Sequence, residues 1–335
     1  MKKTIKFKML GKELKSFALI TATATALALI LLRRESKSKK STSSSGAALT
    51  TLPQSSTAAP TTTTTARVSS ATEVRTILVL MAMEQEAAPF IARHGLLPLD
   101  AANLPWPNTV AFRAFRGRLG DATVILVWAG KSARFGGNAV GTVPSTISSY
   151  AAVLAFTPDL VISAGTAGGF SGCGGGSGAA VGDVYLSTKC VFHDRRIPDA
   201  LSRDGLEEYG FQHLRSPSLG ALARAAGLKR GVVSTSDSLD CTARDRELMV
   251  AEGASVKEME AAAIAWVCKQ LGDVPFVALK AITDIVDRES QVSGGEHASG
   301  EAEFYANLQL ASVALQQKLT AVVELVGGTP LAQWR

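Results

Sequence analysis

The run Thr76–Met83 (TILVLMAM) constrains the fold more than any other stretch of this chain. A strand with one wet face alternates apolar and polar residues. A nearly unbroken apolar run bounded by polar segments marks a strand covered on both faces, the condition of a central parallel sheet. Later segments repeat the theme. Glu84–His94 has helical spacing and meets Gly95, a C-cap residue. Two apolar runs come near 110–116 and 122–128, and Gly136–Phe156 is mostly helical in composition. Asp159–Ala164 (DLVISA), Val181–Phe192, Gly231–Thr235 and Val274–Ile282 read as strands. Ser255–Leu271 reads as a long Ala-rich helix, and Glu301–Val326 as the closing helix. Alternating strands and helices imply a single α/β domain, with a central mostly parallel or mixed twisted sheet flanked by helices.

Residues 1–73 stand apart from this pattern, and the domain is expected over 74–328. Residues 1–75 hold 13 Lys/Arg against 3 Asp/Glu, leaving 22 basic and 26 acidic side chains for the remainder. The net charge of +6 therefore belongs to the N-terminal segment. The domain itself is mildly acidic, which argues against nucleic-acid binding, since that needs clustered positive charge. An uncharged stretch, residues 16–32, is flanked by lysines and arginines and followed by a Ser/Thr-rich tract. The tract is expected to be a disordered linker. The leader reads as an organellar, plastid-type targeting peptide, being rich in Ser and Thr and poor in acid. A membrane anchor through 16–32 or a secretory signal stays open, because about 17 residues is the short limit for a span.

In open α/β sheets ligands sit beyond the carboxyl ends of the strands. The first strand runs into Met83-Glu84-Gln85-Glu86, DLVISA into Gly165–Gly169 (GTAGG), and the last strand into Thr283-Asp284. Lys257-Glu258-Met259-Glu260 opens the expected long helix. Each piece has a plain structural explanation: first-turn acids complement a helix dipole, and GTAGG alone is a tight turn. Being two apart on a helix, Glu258 and Glu260 cannot share one face, so at most one is expected to enter a site. GTAGG is neither a dinucleotide fingerprint nor a Walker A loop. Cys173, Cys190, Cys241 and Cys268 show no CxxC or ligand spacing, so reduced thiols and no metal are expected.

Taken together, MAMEQEAAPF, SAGTAGGF, VGDVYLSTKCVFHDRRIPD, STSDSLD, KEMEAAAIAWV and VPFVALKAITDIVD resemble the 5′-methylthioadenosine/S-adenosylhomocysteine nucleosidases of the nucleoside phosphorylase superfamily. VGTVPSTISSY, FHDRRIP and SDSLD are most similar to the plant-type members. The resemblance runs from about Val74 to about Leu325, with the motifs in order. It implies that Glu86 is the base that activates water, Glu260 the acid that binds the ribose hydroxyls, and Asp284 the acid that protonates adenine N7. It further implies that Thr166 lies near the sugar and Met259 under the ribose, that Met83 is a substrate-binding residue, and that Leu239 and Asp240 form the turn that holds adenine. A nucleoside substrate, no cofactor and a homodimer are implied with it. Two other readings stay open: a phosphate-dependent nucleoside phosphorylase, and a non-catalytic storage or nucleoside-binding relative. The phosphorylases of the superfamily commonly carry an arginine where this chain has Ser163, whereas Lys131 and Arg134 offer an alternative basic loop. The run Gly172–Gly178 (GCGGGSG) exceeds the plant-type loop and reads as a surface insertion or a lid.

Overall fold

The structure, a computed structural model, describes residues 72–172, 178–196, 210, 212–287 and 298–335. The stretch expected as leader and anchor, and the core of the glycine-rich insert, lie outside the described residues. The chain divides into Met1–Thr63 and Thr64–Arg335, and every described residue belongs to the second unit.

Among the described residues, ten strands make one mixed sheet. In chain order they are β1 (Thr76–Met81), β2 (Leu97–Pro98), β3 (Arg113–Leu119), β4 (Ala122–Trp128) and β5 (Leu160–Gly169). There follow β6 (Val184–Phe192), β7 (Leu214–Arg215), β8 (Lys229–Thr235), β9 (Ala254–Glu258) and β10 (Phe276–Ile285). The helices are α1 (Glu84–His94), α2 (Thr142–Phe156), α3 (Gly220–Ala226), α4 (Ala243–Ala251), α5 (Ala261–Gln270) and α6 (Ala298–Val326). β1 is central and parallel to both β4 and β5, so its side chains from Ile77 to Met81 are all buried. β5 pairs with β10 along nearly its whole length. β10 also pairs with β6, β6 with β8, β8 with β9, and β9 with β5, which closes these five strands into a circuit. Ile77, Val79, Leu126, Leu160 and Ile162 face one apolar layer, shared with residues of α1, α3 and α6. Leu78, Val161 and Ala278 face the other, shared with α2 and α5. Each fully buried Leu, Ile or Val adds roughly 1.5–3 kcal/mol by leaving water.

α1 begins and ends as its sequence indicates, with Gly95 at φ 58° in the left-handed region that Gly tolerates without cost. The packed chain continues past 328, because Leu331 is buried and Trp334 Nε1 donates to Thr329 Oγ1 at 2.8 Å.

Two expectations are corrected. Gly165–Gly169 is not a turn but the second half of β5, paired residue by residue with β10. The small residues are needed there because a side chain would collide: a Cβ at Gly168 would lie 2.5 Å from Val286 Cγ2, and one at Gly169 2.5 Å from Ala179 Cβ. The segment from Ser255 is not one long helix. Ala254–Glu258 is strand β9, bonded to β8 and β5, and the helix starts only at Ala261 with Glu260 as its N-cap. Ladder bonds to two neighbours outweigh the helical propensity of an Ala-rich run.

Candidate active site

The correction at β9 changes what Glu258 and Glu260 can reach. On one helix their side chains would diverge. At a strand end and an N-cap they converge on the same partner, Lys280, from β10. Lys280 is only 2% exposed, and its Nζ lies 2.8 Å from Glu258 Oε2 and 3.8 Å from Glu260 Oε2. Glu258 also accepts from the backbone N–H of Glu260 (2.9 Å) and of Ala261 (2.8 Å), and from the Thr235 hydroxyl. Burial alone would raise the Glu258 carboxyl, but Lys280 and these donors outweigh it and hold it below the ordinary range. Burial would likewise pull the Lys280 ammonium down. Glu258, Glu260 and Glu86 outweigh it and hold the charge in place. A lone buried ion costs several kcal/mol, so a lysine in this position requires such partners.

Glu86 stands on the first turn of α1 and is buried. Its Oε1 accepts from the Thr166 backbone N–H at 2.6 Å and from the Thr166 hydroxyl at 2.8 Å. Its Oε2 accepts from the Met83 backbone N–H at 3.1 Å, so Met83 serves as the N-cap that turns Glu86 inward. Gly165 makes room for it, since a Cβ there would lie 3.1 Å from Glu86 Oε1 and 3.3 Å from Lys280 Nζ. Burial raises the Glu86 carboxyl, with Lys280 and Thr166 opposing. A raised carboxylate is a better proton acceptor near neutral pH.

Glu260 accepts from the Gly141 backbone N–H at 3.0 Å through Oε1. Burial, with Glu258 and Glu86 adding, pushes it up to about 7 against the pull of Lys280 and Gly141. A cavity of about 10 Å³, close to the room one water needs, is lined by Glu86, Glu260, Lys280 and Ser163 among others.

Asp284 lies past the register shift in β10, where its neighbour Thr283 leaves the ladder. The Thr283 hydroxyl is 2.7 Å from Asp284 Oδ1. A Cβ at Gly168 would lie 3.0 Å from Asp284 Oδ2. Burial raises the Asp284 carboxyl and Glu303 adds to it, while Thr283 and Lys257 oppose. Its environment thus shifts the carboxyl toward the protonated form relative to a free aspartate.

The turn 236–240 follows β8, with Leu239 and Asp240 exposed. Lys257, buried in β9, donates through Nζ to the carbonyls of Ser238 (2.8 Å) and Leu239 (2.9 Å). Met259 sits half-buried between Glu258 and Glu260. Lys257 and Lys280 were not among the residues expected from sequence. The signal for both was a lysine inside an otherwise buried strand.

The alternative basic loop is otherwise engaged. Lys131 pairs with Glu84 at 2.5 Å, and the Arg134 guanidinium stacks on the Phe135 ring at 5.0 Å.

Comparison with known proteins agrees with this architecture. The family model described as the phosphorylase superfamily matches residues 76–324. A 5′-methylthioadenosine/S-adenosylhomocysteine nucleosidase of Arabidopsis thaliana is 38% identical over 77% of this chain and 94% of its own length. A 5′-methylthioadenosine nucleosidase of the same plant is 35% identical over 77% of this chain and 90% of its own. The solved structure of an Arabidopsis thaliana 5′-methylthioadenosine nucleosidase in apo form superimposes with a TM-score of 0.70 at 34% identity, covering 78% of this chain and 99% of that one.

Proposed function

Because this chain belongs to the 5′-methylthioadenosine/S-adenosylhomocysteine nucleosidases of the phosphorylase superfamily, we propose that it hydrolyses the N-glycosidic bond of 5′-methylthioadenosine. The products are adenine and the 5-thio-substituted ribose, a step of methionine salvage. S-adenosylhomocysteine is the second substrate to test.

Cleavage meets two barriers: adenine leaves poorly as an anion, and the ribose passes through a cation. Asp284 answers the first by protonating N7. Burial shifts its carboxyl upward, toward the protonated form that this role needs, and one positioned acid is worth about 10²–10⁴ in rate. Glu260 binds the ribose hydroxyls, with Met83, Met259 and Thr166 alongside the sugar, and its ionised form stabilises the developing cation. At ~4 Å and an effective dielectric of ~20 such an attraction is roughly 4 kcal/mol before desolvation. Glu86 takes a proton from the attacking water. The turn at Leu239 and Asp240 receives the base, and Lys257 fixes two of its carbonyls.

The observation that favours water over phosphate is the charge around Lys280. One buried ammonium faces three carboxyl groups, Glu86, Glu258 and Glu260, and it is already paired with Glu258 at 2.8 Å, so its charge is matched from within the protein and not held for a phosphate dianion. Ser163 stands where the phosphorylases of the superfamily commonly carry an arginine. Adenine release by the purified protein in phosphate-free buffer tests the reading; a requirement for added phosphate overturns it.

The enzyme works as a homodimer in this reading. Val143, Ile147, Tyr150 and Leu154 are exposed on α2 at helical spacing, an apolar stripe of the kind that a second copy covers. The N-terminal segment delivers the protein to an organelle, the alternative being a membrane anchor through residues 16–32. No helix among the described residues is long and apolar enough to cross a membrane. A fluorescent fusion of residues 1–75 distinguishes the two: organellar import supports delivery, and a stable membrane label overturns it.

A further inference from the structure

α2 starts without a side-chain cap of its own. Its N-cap is Gly141, at φ 99°, which offers no side-chain oxygen to the first amides. Buried or strongly polar helix starts need acceptors, and here two carboxylates distant in sequence supply them. The Gly141 N–H donates to Glu260 Oε1 at 3.0 Å. The next N–H, Thr142, donates to Asp237 Oδ1 at 2.6 Å, and the Thr142 hydroxyl donates to Asp237 Oδ2 at 2.5 Å. Gly141 is required for this approach, because a Cβ there would lie 2.6 Å from Asp237 Oδ1.

Asp237 is itself held. Its backbone N–H donates to Asp194 Oδ2 at 3.0 Å. The preceding Ser236 N–H donates to the Glu258 carbonyl at 3.1 Å, and the following Ser238 and Leu239 carbonyls receive Lys257. Asp237 thus belongs to the base turn by sequence and to the start of α2 by its hydrogen bonds.

We propose that Asp237 is a positioning residue: it clasps the base turn to the first residues of α2 and so keeps the Gly141 N–H on Glu260. It touches no reacting atom. The Gly141 N–H is the one hydrogen bond to Glu260's carboxylate in the structure's described residues. The charges around that carboxylate are Lys280 from β10, Glu258 from β9 and Glu86 from α1. Two of these three are repulsive, so loss of the amide leaves Glu260 less willing to ionise. This rests on the nucleosidase reading, in which Glu260 must be ionised beside the sugar.

The test compares wild type with Asp237→Ala, Asp237→Asn and Thr142→Pro in phosphate-free adenine release across pH. Pro is tolerated at the first helical position but removes both donors to Asp237. Asp237→Ala and Thr142→Pro are each expected to lower kcat/KM about tenfold below pH 7, the order of a lost cap. The deficit should shrink at higher pH, because the acid limb moves to alkaline as Glu260 becomes harder to ionise. Asn keeps an acceptor for the Thr142 N–H and should restore most of the activity. Combining Asp237→Ala with Thr142→Pro should cost no more than either alone. Should Asp237→Ala fail to fold, Thr142→Pro carries the same reading. An unshifted pH profile in the folded variants, or Asn as impaired as Ala, overturns the clasp. Failure of wild type itself to release adenine overturns the proposed function instead.

Discussion

Glu86 accepts both hydrogen bonds that Thr166 can donate, the backbone N–H at 2.6 Å and the hydroxyl at 2.8 Å, on one carboxylate oxygen. Among the described residues, the other oxygen receives the Met83 N–H alone, at 3.1 Å. One side of the carboxylate is therefore anchored, and the other retains lone-pair capacity to take a proton. Glu86→Gln keeps the shape and removes the basicity. It is expected to lower kcat by at least about 10² with substrate binding retained. Single-turnover adenine release, with binding measured separately by calorimetry, checks this. Full turnover in the variant would remove Glu86 as the base.

The acid side of the reaction has an opposite sign. In the proposed mechanism Glu86 and Glu260 act ionised, and their carboxyls are raised, Glu260 to about 7, so activity should fall as pH falls through those values. In the same mechanism Asp284 acts protonated, and its carboxyl is raised as well, so activity should fall as pH rises through its value. The profile of kcat/KM should be a bell. In Asp284→Asn the alkaline limb should disappear and the rate fall by about 10²–10⁴. An alkaline limb that survives the substitution assigns it to another group.

Lys280 and Glu258 form the buried pair on which the other carboxylates lean. Lys280→Met leaves Glu258 without its counter-ion, and breaking one side of such a pair costs about 3–5 kcal/mol. The melting temperature should drop by several degrees. Adding Glu258→Gln should recover part of the loss, because the stranded charge goes too. Additive losses in the double variant, measured by thermal denaturation, would show that the two do not act as a pair.

The outer face of α2 gives a separate expectation. Ile147→Asp with Leu154→Asp places two charges in the apolar stripe. In light scattering the wild type should have the mass of two chains and the variant that of one. A monomeric wild type removes the dimer.

The sequence made some of this legible and hid the rest for identifiable reasons. β1 and α1 could be read because an apolar run, an acidic first turn and Gly95 all point to the same element. Glu86 and Asp284 stood out because each closes an apolar run, although Asp284 lies within β10, past its register shift, and not beyond the strand's end. The segment 254–260 could not. Its local composition favours a helix, and only pairing with β8 and β5 makes it a strand. GTAGG was hidden similarly, since glycines that signal a turn also occur where strands and side chains crowd together. Lys280 carried a visible anomaly, a charge inside FVALKAI, but its partners Glu258 and Glu260 meet it only through the sheet circuit. The Asp237 contact with Thr142 spans 95 residues and leaves no local pattern at all.

Isotope labelling of the product tests the central claim most directly. Turnover of 5′-methylthioadenosine in H₂¹⁸O, with phosphate present, should give adenine and a methylthioribose that carries one ¹⁸O at C1. Methylthioribose 1-phosphate without the label would show that phosphate is the nucleophile and contradict the assignment of Glu86 to water.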